Sequence, residues 1–167
     1  MTGLIALALA MAGQENGMTR YPGWRLFRGD DHCALTHLDI DPALPTGPTF
    51  RVGYYPGDDT TRIAFIDSKL KDVQVGRRYE FSVRFVGRDG AVRDWGRQML
   101  DGIELPTFGR GYRLVLKGRA VLADIGQNSR MELLEGTSAV ESMYLDKLAA
   151  PLAGLDSCIA AMGKPGG

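Results

Sequence analysis

Tyr79-Glu-Phe-Ser-Val-Arg-Phe-Val86 alternates apolar and polar residues in strict period two, which places Tyr79, Phe81, Val83 and Phe85 on one face. A helix does not keep that period, so the segment reads as a strand with one face in a core. The next residues support a hairpin: Arg88-Asp-Gly90 makes a turn, and Val92 to Trp95 returns as the partner strand. Upstream, Thr49-Phe-Arg-Val-Gly-Tyr-Tyr55 and Thr61-Arg-Ile-Ala-Phe-Ile66 flank Pro56-Gly-Asp-Asp59 and read as a second hairpin. Trp24-Arg-Leu-Phe-Arg28 and Cys33-Ala-Leu-Thr-His-Leu38 make a third pair about the turn formers Gly29-Asp30-Asp31. Asp41-Pro-Ala-Leu-Pro-Thr-Gly-Pro48 is too rich in proline to continue a strand and is expected to be an exposed loop.

From Gly87 to Leu116 the periodic signal weakens. Tyr112 to Leu116 and Ala120 to Ile125 are short apolar elements near glycines, each compatible with a strand or a helical turn. The C-terminal third admits two readings. Ser138-Ala-Val-Glu141 fits a capping box, and Val140, Met143, Tyr144 and Leu148 recur at helical spacing. Alternatively, Met131 to Glu135 and Ala139 to Leu145 are strands about Gly136-Thr137, followed by a helix from about Leu148 to Met162. Its stripe is Leu148, Leu152, Leu155, Ile159 and Met162, with Cys158 beside it. One helix from Ser138 to Met162 would hold Pro151 in its interior at a cost of about 3 kcal/mol, whereas the shorter helix has Pro151 in its first turn.

The chain has 167 residues, 44% hydrophobic and 24% charged, enough for one domain with its own core. Its 20 basic and 20 acidic residues cancel, so the overall charge points to no nucleic acid and no polybasic membrane anchor. Leu4 to Ala12 is an apolar run too short to span a bilayer that ends in Ala-x-Ala-like patterns, so residues 1–12 read as a signal peptide and 13–19 as a flexible leader. The expected location is periplasmic or secreted, with no stable membrane anchor. In that compartment the two cysteines, Cys33 and Cys158, are expected to form a disulfide.

The two ends of the chain, Trp24-Arg-Leu-Phe-Arg-Gly-Asp-Asp-His-Cys-Ala34 and Leu145-Asp-Lys-Leu-Ala-Ala-Pro-Leu-Ala-Gly-Leu-Asp-Ser-Cys158, resemble those of a group of small, secreted, functionally unassigned proteobacterial proteins. The resemblance implies the Cys33 to Cys158 pairing and favours the hairpin followed by the helix. It departs at Lys147-Leu148, where the group has a Gly-Thr entry to the helix. It carries architecture and location but no activity.

Chemistry-bearing residues are few. His32, His37, Asp30, Asp31, Asp39 and Asp41 resemble a ligand list, and on a strand His37, Asp39 and Asp41 share one side, which makes them the candidate metal ligands. The plain alternative is a turn and an exposed edge. Cys33 with His32 as its base is disfavoured, because neighbours on a strand point to opposite faces. The chain has no Gly-x-Ser-x-Gly elbow, and Gly109-Arg-Gly111 lacks the rest of a nucleotide fingerprint, so neither a catalytic residue nor a cofactor is expected. Residues 77–119 hold ten basic against five acidic residues. Arg84, Arg93 and Arg97 in this band are candidates for an anionic ligand, against the plain reading of a solvated strand face.

These readings predict an α+β domain over residues 20–163: an antiparallel sheet of hairpins, a packed C-terminal helix and one disulfide. The expected function is a non-enzymatic binding or interaction module whose partner is an anionic ligand or another envelope protein. The alternative is a metal-dependent or hydrolytic enzyme that uses the His/Asp-rich segment at 30–41.

Overall fold

Each alternating segment becomes a strand of a single sheet. A computed structural model describes residues 17–38, 48–106 and 108–162. The expected signal segment 1–12, most of the expected leader, and Asp39 and Asp41 lie outside the described residues. The strands are β1 (Met18–Tyr21), β2 (Trp24–Arg28), β3 (Cys33–Leu38), β4 (Thr49–Tyr55), β5 (Thr60–Asp67), β6 (Arg78–Val86), β7 (Val92–Leu105) and β8 (Gly109–Lys117). After them come helix α1 (Ala120–Gln127), strands β9 (Arg130–Glu135) and β10 (Ser138–Tyr144), and helix α2 (Ala149–Met162). The sheet order is β1-β2-β3-β4-β5-β8-β7-β6-β9-β10, antiparallel at every pairing.

The expected α+β class is therefore corrected to a β-rich fold, in which ten strands form one sheet and two helices accompany it. The hairpins are not separate local units packed by a helix, because their outer strands also pair with each other. The β5 to β8 register, from Thr60 opposite Lys117 to Asp67 opposite Arg110, fuses the two halves of the chain. The sheet begins at Met18, inside the stretch expected to be a leader. The capping-box helix at Ser138 is not formed. Residues 138–144 pair with β9 as β10, and Pro151 sits in the first turn of α2, where its missing N–H is an orphan in any case.

One face of the sheet is apolar. Leu35, Val52, Ile63, Leu114, Leu100 and Val83 occupy it on successive strands and are essentially excluded from solvent. Trp24 anchors one end of this core by packing against His37 and Phe50, with ring centroids 4.7 and 6.1 Å away. Its indole Nε1 donates to the carbonyl of Asp146 at 3.0 Å. Asp146 lies just past β10, at the opposite edge of the sheet from β1 and β2, so the sheet is curled until its two ends meet. A curled sheet with one apolar face needs a plug, and α1 and α2 supply it. Cys33 of β3 is bonded to Cys158 of α2, with Cα atoms 6.1 Å apart. α1 is held by Asp124, which is 1% exposed and accepts from Trp95 Nε1 at 2.7 Å while pairing with Arg93 at 2.6 Å.

Trp95 reaches α1 because β7 is irregular there. The β6 to β7 register slips between Ser82 and Arg84, and Gly96 takes a left-handed φ of 69°. A bulge of this kind re-aims a side chain, and here it turns an indole inward.

Candidate functional site: a cleft at the mouth of the curled sheet

The connection from β5 to β6 crosses the end of the apolar face and forms a strap over it. Gly76 N–H donates to the Gly102 carbonyl at 2.8 Å, and Gly102 N–H donates to the Arg77 carbonyl at 2.7 Å. Only glycine fits at 102, since a Cβ there would stand 2.2 Å from the Gln74 carbonyl oxygen. Arg110 holds the same strap through the carbonyls of Lys71 and Val73, and Val73 is buried beneath it.

Next to the strap the sheet is incomplete. β9 pairs with β6 only from Ser82 onward, so the first residues of β6 face an opening rather than a strand. A cleft of about 490 Å³ lies there, between the strap, the start of β6 and the β9–β10 hairpin. Its wall is aromatic. Tyr112 stands edge-on to Tyr79 and to Phe81, with centroids 5.2 and 4.9 Å away, and Tyr79 Oη accepts from the Gln74 N–H at 2.9 Å. Val140 and Leu70 add apolar surface, while Lys69, Arg77 and Glu135 stand at the rim.

Glu141 adjoins this cleft, next to the lining residue Val140, on the core-facing side of β10 opposite Leu133. Burial, reinforced by the nearby Asp67 carboxylate and only partly offset by Lys69, pushes its carboxyl up to about 7 from an ordinary 4.5. Burial also raises the Tyr112 phenol, with Tyr79, Glu141 and Glu135 adding to the effect. The raised carboxyl has a consequence for stability. The folded protein keeps a proton that the unfolded chain has lost, so the contribution is complete below about pH 4.5 and disappears as pH rises through about 7. Glu141→Gln is therefore expected to match the parent near pH 4.5 and exceed it by about 1 kcal/mol above pH 7, the figure being reduced for the group's partial solvation. Urea denaturation across that range measures it, and parallel curves for the two proteins would contradict it.

The residues singled out in the sequence are placed elsewhere. His37 packs on Trp24 in the core-facing row of β3. Cys33 is in the disulfide and is not a nucleophile. His32 lies on the other side of the sheet, where Nδ1 donates to Asp31 at 2.7 Å and Nε2 accepts from Arg51 at 3.1 Å. The hydrogen bond from His32 holds the Asp31 carboxyl below its usual range. Among the described residues, no group of three or more His, Cys, Asp or Glu side chains is arranged to hold a metal. Arg84, Arg93 and Arg97 do not converge. Arg93 turns to the core side and Asp124, while Arg84 pairs with the buried Glu132 and Arg97 with Glu80 on the opposite side.

Neither Glu141 nor the aromatic wall was a candidate in the sequence. The available signal was an acidic residue at a core-facing position of a strand, which the competing capping-box reading concealed. Comparison of the chain with protein-family models, curated proteins and solved structures finds no match. Among the described residues no helix is long and apolar enough to cross a membrane.

Proposed function

We propose that this protein is a non-enzymatic binding module of the periplasm or the secreted space, and that its ligand enters the cleft at the mouth of the curled sheet. The observation that carries the reading is the cleft of about 490 Å³ walled by Tyr79, Phe81 and Tyr112, with the Glu141 carboxyl half-buried beside it at a cost to its charged form. A ligand that supplies a hydrogen-bond donor relieves that cost on binding, and the rings of Phe81 and Tyr112 favour a cationic donor over a neutral one, the Tyr79 ring already carrying the Arg77 guanidinium over its face at 5.4 Å. The class that fits is an amine on a small apolar body. The disulfide supports an oxidising compartment, where such bonds persist.

Tyramine and putrescine are suitable first probes. In two-dimensional NMR titrations they are expected to perturb Tyr79, Phe81, Tyr112 and Glu141 saturably, and Glu141→Gln is expected to weaken binding about tenfold above pH 7. The absence of saturable shifts at the mouth with either amine would overturn the assignment of the cleft.

A further inference from the structure

The sheet face opposite the core carries a second cluster that the mouth does not use. In one cross-strand row stand Thr36 of β3, Arg51 of β4, Ala64 of β5, Arg113 of β8 and Asp101 of β7. Directly paired side chains in such a row have Cβ atoms about 5 Å apart, so Arg51 and Arg113 flank Ala64 as two arms over a small floor. One residue pair further along β5, Arg62 projects from the same face and stacks over Tyr55, with its Cζ 3.8 Å from the ring centroid. Arg51, Arg62, Ala64 and Arg113, with Ile103, Glu104 and Leu105 along one side, line a groove of about 250 Å³.

We propose that this groove binds an oxyanion, a carboxylate or a phosphate monoester on a short apolar stem, clasped by Arg51 and Arg113 over Ala64. The pairing of the three guanidinium groups supports it. Arg62 is committed to Asp58 at 2.7 Å, and Arg113 shares Asp101 at 3.2 Å. Arg51 differs: among the described residues it forms no ion pair, and its polar partner is the imidazole of His32. A guanidinium only donates, so Nε2 of His32 accepts from it and the ring proton resides on Nδ1, facing Asp31. The ring is fixed on three sides. It stacks on Tyr55 at 4.6 Å and 13°, it bonds Asp31, and it lies so close over Gly29 that a Cβ there would be 2.7 Å from it.

Asp31 and His32 are therefore positioning residues, which hold Arg51 in place without neutralising its charge. A preformed guanidinium pair loses little freedom on gripping an oxyanion, and its planar forks match two oxygens at once. Ile103 and Leu105 continue the groove as apolar surface, which suits a carbon stem rather than a free inorganic ion.

The test uses the full-length protein at low salt with hexanoate and hexyl phosphate as probes and hexylamine as the control. At least one of the two anions is expected to shift Ala64, Ile103 and the Arg113 side chain saturably, while hexylamine leaves them unmoved. Binding by only one anion identifies which oxyanion the groove takes. Arg51→Gln and Arg113→Gln are each expected to weaken binding about tenfold, with Arg51→Lys intermediate because it keeps the charge and loses the fork. Asp31→Asn is expected to weaken binding a fewfold and to change the His32 ring signals without a comparable change in melting temperature. No saturable shift with either anion would overturn the proposal. So would anion shifts confined to the Glu141 mouth, or affinities unchanged in folded Arg51→Lys and Arg113→Gln proteins.

Discussion

A protein with Cys33 and Cys158 both replaced by serine is expected to unfold in urea at a free energy about 2–5 kcal/mol below the parent, with an unchanged far-ultraviolet spectrum at zero denaturant if enough stability remains. The bond joins residues separated by 125 positions, nearly the whole described chain, so in the chain-entropy account it restricts the unfolded ensemble by about 4–5 kcal/mol. The upper part of that range is expected, because the bond also fastens α2, whose Leu155 and Ile159 complete the core. Reductant should lower the stability of the parent to that of the variant and leave the variant unaffected. A parent that is insensitive to reductant would show that the bond contributes little.

Asp124→Ala is the second change with a large effect, expected to cost about 3–5 kcal/mol. The carboxylate is 1% exposed and satisfies the Trp95 indole and Arg93 together. Its removal leaves an indole N–H without a partner at the sheet to helix junction and cuts the main polar tie of α1 to β7. Asp124→Asn keeps an acceptor for Trp95 while giving up the charge, so it should cost about half as much. Urea melts followed by tryptophan fluorescence measure both, because Trp95 reports on this contact directly. Equal losses for Ala and Asn would mean that the ion pair, rather than the indole bond, holds the helix.

Local strand identity is legible wherever the alternation is unbroken, as in Tyr79 to Val86 and in the hairpin about Pro56 to Asp59. It is lost in β7 because the bulge at Trp95 and Gly96 resets which residues face inward, so that no single phase fits the 14 residues of the strand. β1 escapes a sequence reading because Met18-Thr-Arg-Tyr21 is a short edge whose strand character comes from pairing with β2. The α+β expectation fails for a related reason. Whether hairpins stand side by side or fuse depends on edges such as β5 and β8, which meet only in three dimensions.

The sites divide in the same way. The cysteine pair is legible because the chain offers just two thiols. The arginine row is not, since Arg51, Arg62 and Arg113 become neighbours only through the registers of β4, β5 and β8. Glu141 fits the closing position of a capping box, although it belongs to the most chemically distinctive position of the mouth. The Asp31-His32 pair stands out in the sequence for its reactive groups, but the structure gives it Arg51 as a partner in place of a metal or a thiol.

The hydrogen bond from Trp24 to Asp146 also governs how the molecule comes into being. Because it joins the beginning of the sheet to the segment beyond its last strand, the core is assembled from contacts that are among the most distant in the chain. Topologies of this kind fold in milliseconds to seconds rather than microseconds. A chain emerging from its N-terminus can form the early hairpins, but Trp24 has no carbonyl to bond until Asp146 has emerged, and Cys33 has no thiol to meet until α2 has followed. Until then the apolar face of the growing sheet is open, and this interval is when the protein is most exposed to aggregation and to capture by chaperones.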